Sequence, residues 1–151
     1  MRYHLSPSFY ADAHHTMVGF HLDEAVYAPL YYGYGGPGEY ADREMNARRT
    51  DTEIVEIAPD TALVLLKASP DALRERMKAD PHENTLVKEK DIEKVLDMFE
   101  QQYGRSFIRI KFEIDNTDKT VDETLAAFVS QIQPHLLERD RLRILTRNLP
   151  Q

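Results

Sequence analysis

The apolar and polar positions divide the chain into stretches of strand-like and helix-like period. Met17-Val18-Gly19-Phe20-His21-Leu22 is a short apolar run that ends at Asp23-Glu24, and it reads as a buried strand. Residues 25–40 break any period and carry Pro29 and Pro37, so they read as a shaped loop. Residues 39–58 lack proline and glycine and predict a long, mostly exposed helix with sparse apolar positions at Ala41, Met45, Ile54 and Ile57. A break near Thr50-Asp51-Thr52 is compatible with that pattern. Ala62-Leu63-Val64-Leu65-Leu66 is apolar without interruption, which suits a central parallel strand covered on both faces.

The second half is more regular. Ser69-Pro70 predicts an N-cap with proline at the first helical position, and the helix runs through Leu73 and Met77. Residues 80–84 interrupt it. Asp91 opens a further helix whose Ile92, Val95, Leu96, Phe99 and Tyr103 share a face, and Gly104 closes it. Across 107–114, Ile108, Ile110, Phe112 and Ile114 alternate with Arg109, Lys111 and Glu113, the pattern of an edge strand with one wet face. Thr120 and Glu123 have capping-box spacing ahead of Val121, Leu125, Phe128, Val129 and Ile132. Pro134 can restart a last, highly charged helix to about residue 145. In the first 14 residues, Ser6-Pro7-Ser8 reads as a turn or a helix start. Strands alternating with helices imply parallel pairing. The expectation is one domain over 1–151 with a three-layer α/β architecture, a mostly parallel sheet flanked by helices.

Composition narrows the function classes. The 151 residues carry a net charge of −7, which argues against a broad nucleic-acid surface but leaves room for a local anion site. Cysteine is absent, so disulfides, zinc thiolates and cysteine nucleophiles are excluded. No apolar run approaches the roughly 20 residues of a membrane span, and the first residues have no signal-peptide segment. A cytoplasmic protein without membrane or nucleic-acid partners is the expectation.

Four groups could carry chemistry. An apolar strand followed by Asp23-Glu24 resembles a Walker B motif, with Asp23 on Mg²⁺ and Glu24 as a second acid; solvated loop acids give the same pattern. Gly33-Tyr34-Gly35-Gly36-Pro37-Gly38 matches G-x-G-x-x-G, but Pro37 removes one donor from any phosphate cradle, which favours a substrate-covering loop. Tyr27, Tyr31, Tyr32 and Tyr34, followed by Arg43, Arg48 and Arg49, could stack a base and grip phosphate. The same arginines could instead pair with Glu39, Glu44, Asp51 and Glu53. Arg74, Arg76 and Lys78 lie on the helix leaving the Leu63–Leu66 strand and read as phosphate contacts or as solvated charges. His14, His15 and His21 lack metal-ligand spacing. The 151 residues contain no G-x-x-x-x-G-K-[ST] and no Gly-Lys pair, hence no Walker A loop.

Residues 17–133 resemble the later part of P-loop nucleoside and nucleotide monophosphate kinases, in particular thymidylate-kinase-like proteins. Val18 to Tyr27 is similar to the family's D-R-[YF]-x-x-S-x-x-A-Y segment. Ala62 to Arg76 looks like its strand, proline turn and the helix entering the lid, and Ile114-Asp115-Asn116-Thr117 resembles its last strand and turn. The resemblance implies that Phe20 and Tyr27 lie near the acceptor, that Arg76 opens the lid, and that Asp115, Asn116 and Thr117 lie at the adenine end of ATP. The family's Asp-Arg pair falls on Val18-Gly19, its serine on Asp23, and its basic lid core on Ala79-Asp80-Pro81-His82. The P-loop strand it implies would sit between Met17–Leu22 and Leu63–Leu66. The resemblance then implies that the chain closes this gap, borrows a strand from a partner, or is a fragment, the later half of a P-loop kinase fold in which Met1 would be an internal methionine.

The leading expectation is therefore the C-terminal portion of a kinase-like protein that moves the γ-phosphoryl of ATP, with Mg²⁺, to a nucleoside, nucleotide or similar small acceptor. Asp23 and Glu24 would be catalytic, with Asp23 on the metal. Phe20, Tyr27, Tyr31, Tyr34, Arg43, Arg48 and Arg49 would bind the acceptor, and Arg76, Asp115, Asn116 and Thr117 the ATP. Without a phosphate cradle the chain alone is expected to be inactive. The alternative is a non-catalytic α/β binding or oligomerisation module that derives from the kinase fold and pairs with itself through an incomplete sheet.

Overall fold

A computed structural model describes residues 16–81 and 86–147. The turn read at Ser6–Ser8, His14, His15 and the lid-core position His82 lie outside the described residues. The chain is a mixed α/β fold in which six helices and two strands are described: α1 (His21–Tyr27), α2 (Arg43–Ile57), β1 (Ala62–Lys67), α3 (Pro70–Ala79), α4 (Ile92–Arg105), β2 (Ile110–Asp115), α5 (Val121–Ile132) and α6 (Glu138–Arg147).

The first element departs from the sequence expectation. Met17–Leu22 is not a strand, because His21 already begins α1. Gly19 has φ +62°, a left-handed conformation that no strand contains. The helix then buries His21, Ala25 and Val26, the spacing of one helical face, against α2 and α4. It runs directly into a π-helical turn at Ala28–Tyr32, and Gly33 stops it with φ +67°. Pro29 lies in that turn and has no N–H to give to an i−4 carbonyl, a physical reason for the local widening. The shaped loop is thus confined to the residues after Tyr32.

Helix α2 is one unbroken element, capped by Asp42, whose side chain accepts from the Met45 amide at 2.9 Å. Its buried face is Ala47, Thr50, Asp51 and Ile54, while Met45 and Ile57 are exposed. Half of that face is polar, which is why an apolar pattern made this helix look more exposed than it is. Ile54 packs with Ile108, and Phe20, Val55 and Leu63 close around the pair.

β1 and β2 run parallel, with Val64 beside Phe112 and Leu66 beside Ile114. The expected alternation holds in part: in β2 Phe112 and Ile114 are buried and Glu113 is exposed, Ile110 and Lys111 are both half-buried, and Ile108 is buried just ahead of the strand. Phe112 packs on Phe128 of α5, and on the other face Lys111 reaches the Tyr103 carbonyl of α4. β1 is not the fully covered strand its composition suggests. It has one strand neighbour among the described residues, its side chains are only partly buried, and Leu66 is 57% exposed.

The remaining helix signals are realised. Ser69 caps α3 by accepting from the Ala72 amide, and Thr120 and Glu123 form a reciprocal capping box on α5. Helix α4 extends through Gly104 to Arg105, and Pro134 lies in a short 3₁₀ turn ahead of α6. Among the described residues no helix is long and apolar enough to cross a membrane.

Candidate functional site

Helix α1 and its π turn build a cleft of about 150 Å³ lined by Gly19, Phe20, Asp23, Glu24, Tyr27, Ala28, Tyr32 and Leu86. Five of the sequence candidates, Phe20, Asp23, Glu24, Tyr27 and Tyr32, therefore share one surface. Asp23 and Glu24 stand in the first turn of a helix and not at the carboxyl end of a strand, so the geometric basis of the Walker B reading is absent. Acids in a first turn are also favoured by the helix dipole. Among the described residues no cluster of three or more histidines and acids is arranged around a metal position.

The carboxyl of Asp23 packs against the bare Cα of Gly19. A Cβ at that position would lie 2.5 Å from Asp23 Oδ2, so the small residue at 19 and the acid at 23 depend on each other. Burial and the neighbouring Glu24 charge push the Asp23 carboxyl up from its ordinary value, against a smaller opposing effect of His21. Burial, with the charges of Asp23 and Tyr31, also pushes the Tyr27 phenol up. The Tyr27 ring is held edge-on to Phe99 of α4, with centroids 5.5 Å apart.

The other acceptor-side candidates lie elsewhere. Tyr31 leans on Tyr27 and donates its hydroxyl to Asp91 at 3.4 Å. Tyr34 lies under the Arg43 guanidinium, 5.1 Å from the ring centre. Arg43 Nε is 3.6 Å from Glu24 Oε2, which ties it to the back of the cleft's acid. Arg48 is committed to Asp51 at 3.4 Å and to the Gln102 side chain at 3.2 Å, and Arg49 reaches only Met45 on its own helix. Among the described residues no arginine lines the cleft.

The sequence groups Tyr32 with Tyr27, Tyr31 and Tyr34 as base-stacking candidates but leaves it out of the acceptor site. A π turn accommodates an i→i+5 relation, which places Tyr32 with Tyr27 on the cleft.

The glycine loop is not a phosphate cradle. Its donors are already taken by the chain's own carboxylates: the Gly35 and Gly36 amides donate to Glu39 at 2.8 and 3.0 Å, and the Gly38 amide to Asp42 at 2.9 Å. The positive φ values at Gly35 and Gly38 serve that internal arrangement.

A second group forms at the carboxyl ends of β1 and β2. Arg76, on α3, donates to the Asn116 carbonyl at 2.6 Å, to Asn116 Oδ1 at 3.1 Å and to the Thr117 carbonyl at 3.1 Å. Thr117 donates its amide and hydroxyl to Asp115 at 2.8 and 2.6 Å, and its hydroxyl accepts from the Ser69 amide. Hydrogen bonds from the Thr117 hydroxyl and amide hold the Asp115 carboxyl below its ordinary range. The other cations of α3 have local partners: Arg74 pairs with Asp71 and Glu93, and Lys78 with Glu75.

Beneath the cleft, His21 Nε2 lies 2.7 Å from Asp51 Oδ1, and both side chains are buried. His21 is thus a core residue bonded to an acid, outside any ligand set.

Comparisons with protein families, with curated proteins and with solved structures find no match.

Proposed function

We propose that the chain is the acceptor-side and adenine-side portion of a P-loop kinase-like phosphotransferase, inactive on its own. The observation that carries this reading is the Arg76 clamp. The residues that the resemblance assigns to ATP, Arg76 at the opening of the lid and Asp115–Thr117 at the adenine end, come from positions about forty residues apart and are hydrogen-bonded into one group. That group lies at the carboxyl ends of adjacent parallel strands, the usual ligand position in such sheets. Contacts of α4 and α5 with opposite faces of the strands support a three-layer arrangement around a larger parallel sheet.

Asp23 and Glu24, with Phe20 and Tyr27, would face a small acceptor. ATP and Mg²⁺ would be completed by a phosphate loop from outside these 151 residues. The test has two readouts. Adenosine added at millimolar concentration is expected to shift the NMR signals of Arg76, Asn116 and Thr117, and ATP with Mg²⁺ is expected to yield no phosphoryl transfer to thymidine or its monophosphate. Signals that stay unmoved remove the adenine-end reading. Transfer by the chain alone removes the need for an external phosphate loop.

A second reading, a non-catalytic assembly module, is favoured by a different observation. Val121, Leu125 and Val129 form an exposed apolar stripe at four-residue spacing on α5, and β1 has a single strand neighbour among the described residues. Sedimentation at micromolar concentration separates the two readings. Self-association that is indifferent to nucleotide favours the module; a monomer stabilised by adenine nucleotides favours the kinase-like portion.

A further inference from the structure

We infer that the cleft at α1 is a site for a small organic cation, with an alkylammonium group lodged between the Asp23 and Glu24 carboxylates and the aromatic side chains of Phe20, Tyr27 and Tyr32. This rests on the acceptor-side reading of the cleft and narrows it: the acceptor is an amine, not a phosphorylated compound.

Three observations carry it. First, the lining combines two acids and three aromatic residues, with no lysine or arginine among the described residues. Aromatic faces attract cations through their quadrupole, and a carboxylate beside them adds a full opposite charge. Second, the Asp23 carboxyl has no hydrogen-bond or ion-pair partner among the described residues, although it is partly buried and stands next to Glu24. A desolvated acid beside a like charge is stabilised by an incoming cation and destabilised by an incoming phosphate. The nearest guanidinium, Arg43, reaches Glu24 at 3.6 Å and is itself stacked over Tyr34, so it does not neutralise Asp23. Third, the space is small. About 150 Å³ is half or less of the roughly 300 Å³ at which drug-sized pockets begin, and it suits an ammonium head group whose remainder stays outside. Gly19 keeps the space in front of Asp23 open, since any Cβ there would meet the carboxyl. The π turn that brings Tyr32 to the same cleft as Tyr27 is a feature often found at functional sites.

The test is an NMR titration of the full chain at constant ionic strength with tetramethylammonium and n-butylammonium chlorides, with n-butanol as the neutral counterpart. Saturable shifts at Gly19, Asp23, Tyr27 and Tyr32 are expected, with n-butylammonium binding about tenfold more tightly than n-butanol. Asp23→Asn and Tyr32→Leu should each weaken ammonium binding at least about threefold while leaving signals remote from α1 in place; Tyr32 is 62% exposed, so its replacement does not threaten the core. Equal binding of n-butanol, or no saturable shift with either ammonium ion, overturns the inference. Thymidine or its monophosphate shifting these residues while ammonium does not would refute the amine and keep the acceptor cleft. Ammonium binding with no adenosine response at Arg76, Asn116 and Thr117 would keep the cation site and refute the kinase-like reading.

Discussion

Replacing Asp51 with alanine is expected to destabilise the fold by about 3–5 kcal/mol, as read from urea denaturation at neutral pH. The side chain is fully buried and accepts from His21 of α1 at 2.7 Å and from the Phe107 amide ahead of β2 at 3.1 Å. Arg48 lies 3.4 Å from its second oxygen and reaches on to Gln102 of α4. One carboxylate thus joins α1, α2, α4 and the entry to β2. Its removal leaves a buried imidazole and the Phe107 amide without their acceptor and the half-buried Arg48 guanidinium with Gln102 alone, and each lost partner costs free energy when water cannot replace it. A loss of that size is a large fraction of the 5–15 kcal/mol typical of a whole domain. A loss under about 1 kcal/mol would show that water fills the site and that the network does not hold the elements together.

The same group has a pH signature. Burial alone would raise the Asp51 carboxyl, but the hydrogen bonds from His21 and the Phe107 amide and the charges of His21 and Arg48 bring it below its ordinary value. A carboxyl depressed in the folded state contributes stability above its unfolded value of about 3.9, and that contribution is lost as pH falls through the lower folded value. The stability gap between the wild type and Asp51→Asn is therefore expected to be widest near neutral pH and to close as the solution is acidified below about pH 4. A gap that does not change with pH would mean that the charge of Asp51 is not what stabilises the cluster.

Ile54→Ala is expected to cost about 2–5 kcal/mol, the range for deleting a large aliphatic side chain from a packed core. Ile54 is 2% exposed, touches Ile108 at 4%, and is enclosed by Phe20, Val55 and Leu63. The gap would open where α2 meets the approach to β2 and the start of β1, among elements that are fixed by other contacts and cannot easily collapse. The measurement is the denaturation midpoint at unchanged slope. A cost below about 1 kcal/mol would show that this core relaxes around the vacancy.

How far the chain could be read in advance differs by element. α3, α4, α5, α6 and β2 follow from local signals: Ser69-Pro70, the apolar face from Ile92 to Tyr103, the Thr120–Glu123 box and the alternation from Ile108 to Ile114. In each, capping chemistry or side-chain period acts within a few residues of the backbone it shapes. Met17–Leu22 reads as a strand because a short, mostly apolar run does not distinguish a strand from the approach to a buried helix, and only the left-handed backbone at Gly19 separates them. At the candidate site, Phe20, Asp23, Glu24 and Tyr27 were legible because α1 carries them all. Tyr32 was legible only as one of a group of tyrosines, and the π turn is what brings it to the cleft. The arginines were recognised as cations, yet their directions were not, because Glu24, Asp51 and Gln102 reach them only through packing between helices.

Sequence thus settled the mixed α/β class, the helices with caps, the parallel β1–β2 pattern with its helical crossover, and the absence of a Walker A loop from these residues. Those properties rest on local period, local capping and composition. Tertiary structure decided which acid became a buried hub, which arginine reached the strand ends, and which aromatic residues share the cleft with Asp23. These outcomes depend on charged and aromatic side chains meeting across 30 to 54 residues of chain, as at His21–Asp51, Arg76–Asn116 and Arg48–Gln102. Burial then sets the strength of such meetings, and burial belongs to the whole fold.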